Sequence, residues 1–232
     1  MKRYLSLIII FISAALALSA EEADYKLEVQ NFTELKVTDA INVVYHCSQD
    51  SAGWAYFRCD PSISSKLLFS NNKSCLHIQV ASDGEIIVNL PTIHVYSNVL
   101  AKVENAADST VTVLGNVMVP KFSAKLMGNG AIIVKYVETG QLSASITTGN
   151  GHIVLNSGTA TTESLSSVST GTIEAGGIKA KKVKVKLFGT GDIDCTAEET
   201  LTIYGAGSGS VYYKGEPQIS NRSLGIKALK VN

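Results

Sequence analysis

The sequence predicts an all-β protein whose second half is a parallel β-helix, a solenoid with coils of about 20 residues. Three observations predict it. A Gly-x-Gly-x-Ile motif returns about every 20 residues, an alternating apolar stretch follows each copy, and a second alternating stretch leads into the next glycine pair. A period of that size marks stacked repeats, and alternation with period two makes the repeated elements strands rather than helices.

In chain order, the first element is a leader. Lys2 and Arg3 precede an apolar run from Tyr4 to Leu18, followed by small residues up to Ala20 and then Glu21-Glu22. This is the pattern of a secretory signal peptide over residues 1–20, cleaved near Ala20. The competing reading, an uncleaved anchor, meets a run shorter than the ~20 apolar residues of a membrane span. No later segment is long and apolar enough to cross a bilayer. Export places the mature chain in the periplasm, at the outer-membrane surface or in the medium, where disulfides can form.

Residues 24–100 read as an irregular β portion that caps or begins the solenoid. Phe32, Leu35, Val37, Ile41 and Val43 lie in short alternating stretches. Trp54–Phe57, Leu76–Val80 and Ile86–Leu90 are further strands, the last ended by Pro91, and 61–66 is a turn or short helix. No 20-residue column is visible in this portion. An uncovered end coil would be an edge open to aggregation, so caps are expected at both ends.

Residues 101–232 carry the coils and a closing segment. The motif copies contain Gly128 and Gly130, Gly149 and Gly151, Gly189 and Gly191, and Gly207 and Gly209; a weaker copy carries Gly171, and another precedes them all at Ala107-Asp108-Ser109. The third positions, Ser109, Gly130, Gly151, Gly171, Gly191 and Gly209, are 21, 21, 20, 20 and 18 residues apart. Two residues on stand Val111, Ile132, Ile153, Ile173, Ile193 and Val211, β-branched residues suited to a packed strand face. Two further on stand Val113, Val134, Leu155, Ala175, Cys195 and Tyr213, which face the same way. Thr112, Ile133, Val154, Glu174, Asp194 and Tyr212 lie between and face out. Phe122–Leu126, Leu142–Ile146, with one inserted residue, Val183–Leu187 and Leu201–Ile203 form the strands before each corner. Glycine supplies the corner with positive φ, and Asn129 and Asn150 tolerate that region. Helical repeats are rejected, because a glycine pair would cost each helix about 2 kcal/mol. Tyr212–Pro217 closes the array, and residues 224–231 form a terminal strand.

At this point the chain resembles the head GIN domain family of auto-transporter adhesins. The residues that carry the resemblance are Phe32–Val37 with Ile41–Tyr45, the recurring Gly-x-Gly-x-Ile, and the closing Gly207–Pro217. The resemblance implies a right-handed parallel β-helix, a cell-envelope location and no enzyme activity. The chain departs from the family pattern at Ala107–Ser109 and Ser169-Thr170, where glycines are missing.

Composition narrows the functions. The chain has 20 basic and 20 acidic residues, so a nucleic-acid partner, which rewards a strongly basic protein, is not expected. Charged residues make up 17%, leaving a surface that relies on hydroxyls and amides. The glycine motifs are not nucleotide-binding loops, since no helix follows them, and no cofactor is expected. Polysaccharide-cutting β-helices need clustered carboxylates. The candidates are Asp192, Glu174 and Asp194, read either as a small calcium or sugar site or as solvated outer-face acids. Lys182, Lys184 and Lys186 alternate with core residues and form a solvated stripe or a site for anionic glycans. No histidine pair stands at metal spacing and no Ser-His-Asp set is recognisable. Cys47 and Cys59 lie symmetrically about Gly53 and are the disulfide candidate across a hairpin; Cys195 is expected as a buried thiol. The leading reading is a non-enzymatic envelope module that binds a glycan or a protein surface. Its competitors are a carbohydrate-active β-helix enzyme and a structural periplasmic module.

Overall fold

The computed structural model describes residues 22–81, 84 and 87–231, so the predicted leader over 1–20 lies outside the described residues. The chain opens with β1 (Ala23–Glu28), β2 (Glu34–Val37), β3 (Val43–Cys47) and β4 (Trp54–Cys59). One helical turn follows, α1 (Pro61–Ser64). It starts where the Asp60 side chain accepts the Ser62 amide and where proline takes the first turn, which needs no amide donor. Next come β5 (Leu67–Asn72), β6 (Cys75–Val80), β7 (Ile93–Ser97) and β8 (Lys102–Asn105). The strand expected at Ile86–Leu90 begins outside the described residues, and 87–90 are loop. Asn89 sits at φ 58° and Val88 is 66% exposed, so neither extension nor a buried face is maintained there. The coils run through β9 (Thr110–Leu126), β10 (Ala131–Ile146), β11 (His152–Leu155), β12 (Gly158–Ser167), β13 (Thr172–Gly189) and β14 (Ile193–Gly207). They end with β15 (Ser210–Lys214), β16 (Gln218–Leu224) and β17 (Lys227–Lys230).

The stacked parallel coils are those the period predicts. Val111, Ile132, Ile153, Ile173, Ile193 and Val211 are in direct register from strand to strand, and each is fully buried. Burying each such side chain contributes about 1.5–3 kcal/mol, and none could be buried without the coils on either side. Each winding has three sides rather than the two the alternation suggested. In β9 the alternation breaks at Leu114–Asn116 and again at Pro120-Lys121. Side one holds Val111 and Val113, side two Val117, and side three Phe122, Ala124 and Leu126. Side two is short and repeats in two columns, Val117, Val137, Gly158 and Ile178 in one and Thr139, Ala160, Ala180 and Ala197 in the other.

The corner glycines have two separate reasons. Gly128 and Gly149 take φ of 127° and 85°. Gly130, Gly151, Gly171, Gly191 and Gly209 are needed for closeness instead: a Cβ on any of them would collide with the carbonyl oxygen of the residue stacked beneath. Asn129 and Asn150 are not in the positive-φ region. They form a ladder with Asp108, in which Asp108 accepts the Asn129 amide (2.9 Å) and Asn129 the Asn150 amide (3.1 Å). Leu142–Ile146 pairs without interruption with Phe122–Leu126, so the inserted residue lies in the corner, at Thr147-Thr148.

The N-terminal portion joins the same stack out of chain order. β2 pairs in parallel with both β6 and β8, and β3 with both β7 and β9. The β2–β3 coil is therefore enclosed between the β6–β7 coil and the first regular winding. Antiparallel β1 on β4, β4 on β7, and β5 on β6 finish that end. At the other end the array continues past Pro217. β16 adds to β14 and β17 to β15, one winding more than the closing segment suggested.

Candidate functional site

Side three presents its outward side chains as a flat, ruled surface. β9 contributes Lys121, Ser123 and Lys125; β10 places Gln141, Ser143 and Ser145 in register with them. Thr162, Ser164 and Ser166 of β12 come next, then Lys182, Lys184 and Lys186 of β13. Thr200, Thr202 and Tyr204 of β14 and Gln218, Ser220 and Arg222 of β16 follow, and Phe188, Ala206 and Leu224 form an exposed apolar row at the end of the same face. The alternation that buries Phe122, Leu142, Val183 and Leu201 forces these residues outward. Six basic side chains and no carboxylate stand among these outward positions, although the whole chain is charge-balanced. None of the six forms an ion pair among the described residues. A groove of ≈ 600 Å³ opens over Lys121, Gln141, Ser143, Thr162, Lys182 and Thr200. Lys184 lies over the Tyr204 ring at 5.3 Å. The acids nearest in the same stack are Glu104, beside Lys125 on the adjoining β8, and Glu34 one strand further, and both are engaged by Lys36 and Lys102.

The structure places the three candidate calcium ligands near one another but uses two of them on the backbone. Glu174 and Asp194 are register partners on β13 and β14. Asp194 accepts the Ala175 and Gly176 amides, the latter at 2.9 Å, and Asp192 accepts the Ser210 amide at 2.8 Å. Glu174 is exposed. No group of three or more metal-ligating side chains occurs among the described residues. The hairpin expected to join Cys47 to Cys59 does not form. β7 lies between β3 and β4, and all four cysteines are free thiols. Cys195 is buried, and burial pushes its thiol far up, with Glu163 and Asp194 adding to the shift.

Two histidines far apart in sequence meet. His46 Nε2 and His94 Nδ1 are 3.0 Å apart, with ring centroids at 5.3 Å and planes 24° apart. Rings this close to coplanar meet head-on, so one N–H donates to the other nitrogen; the lone pairs do not converge on a common point. Tyr96 stacks on His46 at 4.6 Å. Burial, then the neighbouring His94, lowers the pKa of His46.

Beneath the hydroxyl rows of side three lies an anomaly. Glu163 occupies the inward column with Phe122, Leu142, Val183 and Leu201. It is 2% exposed, and neither carboxyl oxygen has a hydrogen-bond partner. Burial pushes its carboxyl well above the usual carboxylate range, and Asp194 pushes it further.

The sequence profile described as "Putative auto-transporter adhesin, head GIN domain" matches residues 31–217. The chain belongs to this family. Solved structures similar to this head GIN domain include a "putative adhesin" from Bacteroides fragilis at 23% identity and TM-score 0.82, covering 91% of this chain and 97% of that one. A "putative adhesin" from Parabacteroides merdae matches at 18% identity and TM-score 0.74, over 92% and 98% of the two chains. A "putative lipid binding protein" from Parabacteroides distasonis matches at 20% identity and TM-score 0.72, with the same coverage. At these identities the likeness shows a shared fold. Among curated proteins none matches the sequence.

Two features of this head GIN domain escaped the sequence reading although signals existed. The spacing of Phe122, Leu142, Glu163, Val183 and Leu201 follows the corner period and places Glu163 inward once the columns are aligned. The lysine stripe of β13 was visible, but Lys121 and Lys125 join it only through the register across β10 and β12. The His46–His94 contact depends on the out-of-order stacking of β3 on β7 and left no local signal.

Proposed function

We propose that this head GIN domain is exported to the cell envelope and acts there as a non-enzymatic adhesion module, with the outer face of side three as its contact surface. The leader pattern supports export, and the family and its structural relatives support adhesion. One observation carries the choice of face: from β9 to β16 its outward rows are rich in hydroxyls, amides and cations and hold no carboxylate, in a protein of zero net charge. The face is also pre-organised. Parallel ladders fix each of its inner strands on both sides, so docking orders little backbone and its cost is low. The lipid-binding description of one relative fits this face less well, since its apolar side chains, Phe188, Ala206 and Leu224, stand in one row at its end and not on the hydroxyl floor.

The test is a glycan array read with the wild-type domain and two blocked forms. Ser143→Tyr with Ser164→Tyr fills the middle of side three, and Thr112→Tyr with Val154→Tyr fills side one. Loss of binding with the first pair and retention with the second is expected. Equal binding by both forms removes side three as the contact surface. Turnover of any arrayed glycan removes the non-enzymatic reading.

A further inference from the structure

We infer that side three binds a polyanionic glycan, seated on a hydroxyl floor between two lysine rails; this rests on side three being the contact surface. The first rail is Lys121 and Lys125 on β9, and the second is Lys182, Lys184 and Lys186 on β13. β10 and β12 lie between them, so the rails are ~14 Å apart, three strand spacings. Along the second rail the lysines recur every ~6.6 Å, and the ends of the first are ~13 Å apart. Lys121 is in register with Lys182, and Lys125 with Lys186, through paired residues of β10 and β12. The result is a near-square of cations around a floor of Ser143, Ser164, Gln141 and Thr162.

Each part of this arrangement selects for the ligand. None of the rail lysines forms an ion pair among the described residues, although Glu104 stands beside Lys125 in register, and lysines two apart on one strand repel one another, so an added polyanion relieves that repulsion. The floor offers both donors and acceptors, the complement of sugar hydroxyls. A nucleic acid is disfavoured, because single strands need exposed aromatic faces for their bases, and of the aromatic residues of the face Tyr204 is covered by Lys184 while Phe188 stands beyond the end of the rails. An anionic membrane is disfavoured, because interfacial binding needs apolar side chains to enter the acyl boundary, and those of this face, Phe188, Ala206 and Leu224, stand in one row at its end, away from the floor between the rails. Carboxylate- or sulfate-bearing polysaccharide meets both the charged and the hydroxyl requirements.

Biolayer interferometry with polygalacturonate, heparin and neutral dextran, at 50, 150 and 500 mM salt, tests this. Three proteins are compared after circular dichroism confirms folding: wild type, a rail variant (Lys121→Ser, Lys125→Ser, Lys182→Ser, Lys186→Ser), and the floor block (Ser143→Tyr, Ser164→Tyr). The wild type is expected to bind at least one polyanion, to weaken steadily with salt, and to ignore dextran. The rail variant is expected to bind about 30-fold more weakly at 150 mM salt, and the floor block to lose binding. Salt-insensitive binding that includes dextran and survives rail neutralisation, but not the floor block, overturns the polyanion class and leaves the contact face standing. Binding untouched by the floor block overturns the seated ligand, and the contact face falls with it. Absence of binding to both polyanions also overturns the class.

Discussion

Glu163 is the residue at which the fold works against itself. Its neighbours in the column are aromatic or aliphatic, and its carboxyl has no partner. An acid whose folded-state pKa is raised holds its proton more tightly when folded. Below its ordinary value of 4.5 both states carry the proton. As pH rises past that value the unfolded chain ionises first, so stability falls until the folded carboxyl also ionises. Of the facing groups, Asp194 also disfavours its charge, while Cys195 stays a neutral thiol. Glu163→Leu is therefore expected to raise stability by about 2 kcal/mol at pH 7 and to flatten its decline between pH 5 and pH 8. Glu163→Gln gains less, because an unpaired amide remains in the core. Urea midpoints at the two pH values measure this; parallel pH slopes for wild type and Glu163→Leu would show that the carboxyl is not the titrating group. Thiol chemistry offers a second residue-scale check. Cys47 is exposed whereas Cys59 and Cys195 are buried. Mass-resolved alkylation of the folded protein is expected to label Cys47 well ahead of those two. Faster labelling of Cys195 than of Cys47 would contradict its place in the interior.

At the scale of the element, the corner decides how coils stack. The second glycine of each pair is excluded from any other identity by the carbonyl of the coil below, not by its own φ. Gly191→Ala is expected to cost about 2–4 kcal/mol, because backbone rather than a flexible side chain must yield. Thermal denaturation against Gly84→Ala, where a Cβ meets nothing within 4 Å although φ is 89°, separates the steric effect from the conformational one. Equal losses at both positions would show that the close approach of coils is not what requires glycine. This difference in mechanism explains what could be read in advance. Side one was legible because two inward β-branched residues recur beside a rigid glycine marker, as at Ile132 and Val134. Side two was not, since its inward columns hold small or polar residues, such as Gly158, Thr139 and Ala197, and at most two per winding. The β2–β3 coil was hidden because its neighbours in space, β6 and β8, come later in the chain. The lysines of β13 were legible within one strand. The floor they border needed register, which sequence patterns do not carry across corners of unequal length.

For the whole molecule, the two ends differ in how strongly they hold. A solenoid gains stability from contacts between neighbouring coils, so an end coil has half the partners of an inner one. At the N-terminal end this deficit is offset by antiparallel strands and by interlock, since β2–β3 is held between two coils formed by later parts of the chain. At the C-terminal end, β16 buries no residue fully, Ile219 is 40% exposed and Leu224 79% exposed. Its edge carries Arg222, Lys227 and Lys230, charges that discourage another strand from adding there. Opening should therefore begin at β17 and β16 and travel inward, while the N-terminal coils open only with global unfolding. Native-state hydrogen exchange is expected to show amides of residues 218–230 exchanging fastest among strand residues, with protection rising through β14 and β13 and remaining high in β2 and β3. Ending the chain after Pro217 should lower stability by only about 1–2 kcal/mol and keep the remaining windings folded. Protection in β16 equal to that in β10, or collapse of the truncated chain, would mean that the last winding is a true cap and that the stack is held from both ends alike.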